Sequence, residues 1–169
     1  KGGAATLGAQ RLLPLASAPR PPVVVLCDGD LADSAHALTR LVETVRTGDA
    51  ELAVAAFARR VGGGFGIALG FARWAIRRCC GLETTAPISG QRALRADVLP
   101  AVLPFAPRFG MEIGMTVDAV RAGYRVKEVE LPLAHRATGK TLRGFLHRGR
   151  QLRDFIAVYR DRRRGRRRG

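Results

Sequence analysis

The run Val23-Val24-Val25-Leu26-Cys27, entered through Pro21-Pro22 and leaving into Asp28-Gly29-Asp30, constrains this chain more than any other stretch. A continuous, β-branched apolar run of this length suits a strand buried on both faces of a parallel sheet. The acidic turn then falls at the carboxyl edge of that sheet, where open α/β folds bind their ligands. Two carboxylates one residue apart are hard oxygen donors of the kind that hold Mg²⁺ or Mn²⁺, and such a cation neutralises a diphosphate. The same three residues also make an ordinary acidic turn with an N-cap in it.

Around this strand the apolar spacing alternates between two periods. Ala37, Leu38, Leu41, Val42 and Val45 repeat at helical spacing, with Asp33 or Ser34 as cap and Gly48 past the end, which predicts a helix over 34–46. Residues 51–57 (ELAVAAF) then read as a second strand, so β-α-β appears in order and implies a layered α/β fold with right-handed crossovers. Further on, the spacing predicts a helix over 65–80 and a short helix over 91–99 stopped by Pro100. A third helix is predicted over 110–122 with Gly123 as its left-handed C-terminal cap, and an edge or half-exposed strand over 126–131. Leu142, Phe145, Leu146, Leu152, Phe155, Ile156 and Tyr159 mark one face of a long amphipathic helix. Gly144 and Gly149 weaken that helix in isolation, so it is expected to depend on docking.

Length and charge bound the possibilities. At 169 residues with 47% apolar and 25% charged side chains, the chain has the composition of a folded domain rather than a disordered or fibrous one. The net charge of +15 is concentrated: residues 136–169 carry 13 of the 29 Lys and Arg against Asp154 and Asp161 alone. The basic character therefore belongs to the C-terminal end, and the body is nearly balanced. The longest uncharged run, 61–72, is closed by Arg73 and falls far short of the ~20 apolar residues a membrane-spanning helix needs. Three cysteines, two of them adjacent, give neither a disulfide framework nor a CxxC zinc pair, which favours a reducing, cytoplasmic setting. The opening Lys1-Gly2-Gly3-Ala4 has neither an initiator Met nor a signal-peptide pattern, so the chain is expected to be the later part of something longer.

Two further stretches bear chemistry. His135-Arg136-Ala137-Thr138-Gly139-Lys140 lies between a predicted strand and a predicted helix, with a glycine that lets backbone approach an anion. Arg136 and Lys140 suit phosphate oxygens and His135 suits a metal, although a solvated basic loop has the same composition. Glu112 sits between Met111 and Ile113, with Met115 beyond, and a carboxylate in such surroundings serves as a general base. A surface glutamate is the alternative.

Taken in order, these residues resemble the inverting, family 2-type nucleotide-sugar glycosyltransferases of the GT-A fold, in particular polyprenyl-phosphate sugar synthases and glucosyl-phosphoglycerate synthases. Lys1-Gly2-Gly3-Ala4 is similar to the lysine-glycine-x-alanine segment before the acidic strand. Residues 23–31 are similar to the strand bearing the DxD motif, and Ser89-Gly90-Gln91-Arg92 to a serine-glycine-x-arginine acceptor motif. Residues 109–112 are similar to the segment with a catalytic glutamate, and 136–140 to a loop closing over the donor phosphates. The resemblance covers about residues 1–155. It implies a GT-A, Rossmann-like layered sheet with helices on both faces, whose first nucleotide-binding strand precedes Lys1. It divides the chain into the C-terminal part of a catalytic domain over 1–140, the amphipathic helix over 141–159 and a basic tail over 160–169.

By that likeness, Asp28, Asp30 and His135 hold Mg²⁺ or Mn²⁺, and Lys1, Asp28, Arg136 and Lys140 face the diphosphate of a UDP- or GDP-sugar. Ser89, Gly90 and Arg92 lie on the acceptor side, and Glu112 deprotonates the acceptor hydroxyl. Where many relatives have an aspartate before the proline of the acceptor loop, this chain has Ala86 before Pro87. A nucleotidyltransferase of related fold is the rival enzyme. A nucleic-acid binder using Arg160 to Arg168 is a third reading, but that tract carries no base-reading aromatic platform. The amphipathic helix with its tail also fits peripheral contact with an anionic membrane.

Overall fold

The computed structural model describes residues 2–28, 32–57, 66–131 and 142–165. Four strands, β1 (Val23–Leu26), β2 (Leu52–Phe57), β3 (Arg92–Arg95) and β4 (Val126–Leu131), form one sheet in the order β1-β3-β2-β4. β3 is antiparallel to both neighbours, with Leu26 opposite Arg92 and Val54 opposite Arg92, whereas β2 and β4 run parallel from Leu52/Val126 to Phe57/Leu131. The sheet is therefore mixed, and β1 and β2 point the same way with β3 between them.

Among the described residues six α-helices accompany it: α1 (Gly2–Gln10), α2 (Thr39–Arg46), α3 (Gly66–Cys80), α4 (Leu99–Val102), α5 (Met111–Arg121) and α6 (Leu142–Gly165). Alternation along the strands sorts the core into layers. Leu52, Val54 and Leu94 face α1, α4 and α5 through Ala9, Leu99, Met111 and Met115, while Ala53, Ala55, Ala93 and Leu131 face α2 through Leu41 and Val45, with Leu38 just before it. Helices thus cover both faces, as expected. A third layer packs α3 and α6 on the outside of α5, through Ala72, Ile76, Ile113, Val117, Phe155 and Val158. Gly110 permits this contact: a Cβ there would overlap the Val158 side chain.

Several expectations need correction. β1 is the edge strand of the described sheet rather than a strand buried in a parallel one, and Val25 is 38% exposed. The segment 91–99 is not a helix. Its Gln, Arg, Ala and Leu are good helix formers, but Arg92–Arg95 is claimed by strands on both sides, and tertiary pairing outweighs propensity. Pro100 opens the short α4 in its first turn instead of stopping a helix. The helix expected over 34–46 begins as a 3-10 turn, Ala32–Leu38, and its α-helical part, Thr39–Arg46, has no side-chain cap. Gly48 and Gly123 do take the left-handed conformation, at φ +81° and +87°. α6 continues through the expected helix-to-tail boundary to Gly165. There Arg162 Nε and Nη2 donate to the Asp118 carboxylate at 2.9 and 2.6 Å, and Arg121 Nη1 donates to the Arg162 carbonyl at 2.8 Å, fastening α6 to α5.

Candidate active site

The strand directions gather one functional edge. β1, β2 and β4 end where β3 begins, so the carboxyl ends of three strands and the approach to the fourth lie together. Asp28 stands two residues beyond the end of β1, and residues 87–91 lead into β3 at the same edge, where Ala55 N–H donates to the Gln91 carbonyl at 3.0 Å. α5 begins on this side: Thr116 in its second turn meets Arg92, and Glu112 lies one turn closer to the helix N-terminus. The chain also leaves this edge after Phe57 and Leu131. Of the expected site residues, Asp28, Ser89, Gly90, Arg92 and Glu112 are described, while Lys1, Asp30, His135, Arg136 and Lys140 lie outside the described residues.

Glu112 is only 4% exposed, so it is not a surface glutamate. Met111, Ile113, Gly114 and Met115 around it are buried too. Its place in the first turn of α5 puts a negative charge at the positive end of the helix dipole. The guanidinium of Arg92, just 1% exposed, adds a second source of positive potential. Burial pulls Arg92 down to about 10, against the opposing pull of the Glu112 and Glu128 carboxylates.

Arg92 directs its donors at the protein. Nε donates to the Ser89 carbonyl at 2.9 Å, Nη2 to the Pro87 carbonyl at 3.3 Å and Nη1 to Thr116 Oγ1 at 2.9 Å. Thr116 in turn donates to the Glu112 carbonyl at 3.0 Å. One buried cation therefore holds the 87–89 turn against the helix that carries Glu112.

A second hub comes from β4. The Glu128 carboxylate accepts from the Thr84 hydroxyl, from Thr85 N–H at 2.9 Å, from the Thr85 hydroxyl at 2.6 Å and from Ala86 N–H at 2.9 Å. Burial pushes the Glu128 carboxyl up, but these donors outweigh it and hold the group below its ordinary value. From α3, Arg73 Nη2 adds a bond to the Thr85 carbonyl at 2.7 Å. Three elements thus fix the loop before β3. A cleft of about 110 Å³ beneath it, lined by Val54, Thr84, Ala86, Thr116 and Glu128, has room for a few waters rather than a sugar nucleotide.

Sequence reasoning did not find Glu128. The available signal was that Glu128 shares its strand face with Val126, a face covered by α5, and a carboxylate on a covered face requires donors. Nor did it find Gln91, which is fully buried with neither amide atom hydrogen-bonded among the described residues; the Ser89 hydroxyl is likewise buried and unpartnered. These neutral donors and acceptors adjoin the edge that Asp28 borders.

Among the described residues no cluster of three His, Cys, Asp or Glu side chains is assembled to hold a metal ion. Asp28, the described member of the expected set, offers hard carboxylate oxygens at the strand end, and this donor chemistry fits Mg²⁺ or Mn²⁺.

No family model matches the chain. An undecaprenyl-phosphate mannosyltransferase of Micrococcus luteus is 33% identical over 130 residues, covering 70% of this chain and 52% of that protein. The glucosyl-3-phosphoglycerate synthase of Mycobacterium tuberculosis, solved with Mg²⁺ and uridine diphosphate, superposes with a TM-score of 0.71 at 27% identity over 96% of this chain and 54% of its own. The same enzyme solved with Mn²⁺, UDP-glucose and glycerol 3-phosphate superposes with a TM-score of 0.63 at 26% identity, over 91% and 54%. The chain spans about half the length of the proteins it matches. In sequence and in fold, then, this chain resembles glycosyltransferases of the GT-A fold over about half of their length.

Proposed function

We propose that the chain is the acceptor-side and metal-side portion of a glycosyltransferase that moves a sugar from a nucleoside diphosphate donor to a hydroxyl or phosphate acceptor with inversion. The observation that carries this reading is the convergence of Asp28, the 87–91 turn and the buried Glu112 on one sheet edge, in a fold shared with an enzyme solved with Mg²⁺ and uridine diphosphate.

Asp28 and Asp30, with His135, are the residues to hold Mg²⁺ or Mn²⁺, which supplies charge neutralisation of the leaving diphosphate. Lys1, Arg136 and Lys140 add positive charge for the phosphate oxygens. Ser89, Gly90 and the amide of Gln91 present neutral hydrogen-bonding groups to sugar or acceptor hydroxyls. Arg92 is a positioning residue, since its donors are committed to Ser89, Pro87 and Thr116.

For a hydroxyl acceptor, the Glu112 carboxylate takes the O–H proton. The acceptor oxygen bonds to the anomeric carbon from the face opposite the leaving group, and the bond to the diphosphate breaks. A phosphate acceptor is already anionic and needs no base, so the effect of Glu112→Gln separates the two acceptor classes. UDP- and GDP-sugars offered to the full-length protein with Mn²⁺ test the proposal. Nucleoside diphosphate release lost in Asp28→Asn supports it, and pyrophosphate release from nucleoside triphosphates refutes it in favour of nucleotidyl transfer.

A further inference from the structure

Only the C-terminal half of α6, the sequence's candidate for membrane contact, has described side chains. Phe155, Val158 and Tyr159 are buried against α3 and α5. Large apolar side chains emerge instead on α3, where Ile67 is 82% and Trp74 is 49% exposed. They are seven residues apart on one helix face, and exposed Arg77 and Arg78 extend that stripe.

Trp74 joins this stripe to α6. Its ring packs at a tilt against Tyr159, 4.8 Å between centroids, and against Phe71 at 5.5 Å, so it is held in place while half its surface remains open. On α6, Arg153, Arg160 and Arg163 are exposed and repeat at helical spacing beside half-buried Ile156, whereas Arg162 turns inward to Asp118. The outward face of the α3–α6 pair is therefore an apolar ridge ending in an indole and bordered by arginines. Among the described residues no helix is long and apolar enough to cross a membrane.

We infer that the α3–α6 face is an interfacial docking surface for an anionic phospholipid bilayer, with Ile67 and Trp74 entering the headgroup–acyl boundary and Arg153, Arg160 and Arg163 pairing with lipid phosphates. Charge complementarity selects the occupant, because arginines outnumber acids on the exposed border: Glu83, Asp154 and Asp161 pair with Arg77, Arg153 and Arg162, and Arg160 and Arg163 add exposed positive charge; a half-exposed indole suits the headgroup level. Each basic residue near an anionic surface strengthens binding about fivefold.

The chain's single tryptophan makes the test site-specific. The full chain is mixed with vesicles of phosphatidylcholine alone or with 30% phosphatidylglycerol, following sedimentation and Trp74 emission, with and without brominated acyl chains. The expected result is sedimentation with the anionic vesicles only, relieved by salt, with blue-shifted and bromine-quenched emission. Ile67→Ser and Arg160→Gln/Arg163→Gln should each weaken binding at least fivefold with unchanged circular dichroism. Absence of sedimentation overturns the inference, as does sedimentation without quenching, which places the contact elsewhere. A blue shift that depends on protein concentration without lipid also overturns it, in favour of a second copy. So does an equal shift with single-stranded RNA, which assigns the face to nucleic acid.

Discussion

Replacing Arg92 with Met tests how the 87–89 turn is held. The side chain is 1% exposed and makes three hydrogen bonds, to Ser89, Thr116 and Pro87, so truncation strands two carbonyls and a hydroxyl that water does not reach. A buried acceptor left unpaired costs about 1–3 kcal/mol, which for three groups sums to roughly 3–9 kcal/mol. Two effects reduce this: Thr116 keeps its own bond to the Glu112 carbonyl, and the variant no longer buries a cation. With these offsets the net loss falls in the lower half of that range, about 3–5 kcal/mol. Taking about 4 kcal/mol and roughly 2–4 °C per kcal/mol for a chain of this size, Tm falls by about 12 °C. With an m-value of about 2 kcal/mol/M, the urea midpoint falls by about 2 M at constant slope. Arg92→Lys keeps the charge but not the three-way fork and should fall between. Urea unfolding followed by circular dichroism decides: a loss below about 1 kcal/mol in Arg92→Met would show that the network does not hold the turn.

Gly110→Ala places a methyl into Val158 and should cost about 1–3 kcal/mol by overpacking, with α6 loosened first and read out as faster amide exchange over 152–162. Arg162→Ala removes the Asp118 pair and should loosen the same segment by about 1–2 kcal/mol, whereas Arg163→Ala should be silent in the same exchange experiment. For Glu128 the sign is fixed by a native carboxyl held below its ordinary value of 4.5: its stabilisation is complete above that pH and is lost as the pH falls through the lower native value. Glu51, held down by hydrogen bonds from Arg125, contributes in the same direction. Urea midpoints should therefore fall on acidification below pH 4.5, and Glu128→Gln should flatten that fall while lowering the midpoint at pH 7.

Periodicity and apolar runs carried the layers: α3 and the described part of α6 bury one face at helical spacing, and β2 reads as a continuous apolar run because both of its faces are covered. They did not carry β3, whose Arg92-Ala93-Leu94-Arg95 has no strand pattern of its own. Those residues are extended because β1 and β2 both pair with them, and pairing across such sequence distances leaves no local trace. The site divides similarly. Asp28 at a strand end and Glu112 among apolar neighbours were legible because each stands out from its surroundings. Glu128 was not, since one glutamate in an alternating strand looks the same whether it meets solvent or three residues of a folded loop. Arg92 was legible as a motif residue, but its three bonds to Ser89, Pro87 and Thr116 inside the fold were not, because burial leaves no mark on the local sequence. The apolar face of α6 was legible as a face to be covered, but not that Phe155, Val158 and Tyr159 pack on α3 and α5, because amphipathicity does not state what covers it.

Glu112 is proposed to remove an acceptor proton at the edge that Asp28 borders. The most direct measurement is the kcat of Glu112→Gln in the full-length protein with a hydroxyl acceptor, taken together with its donor affinity. The kcat should fall about 10²–10⁴-fold with donor Kd within threefold of the parent, because the carboxylate acts on the acceptor and not on the nucleotide. A kcat within about threefold of the parent would contradict it, as would a loss of donor binding that accounts for the whole effect.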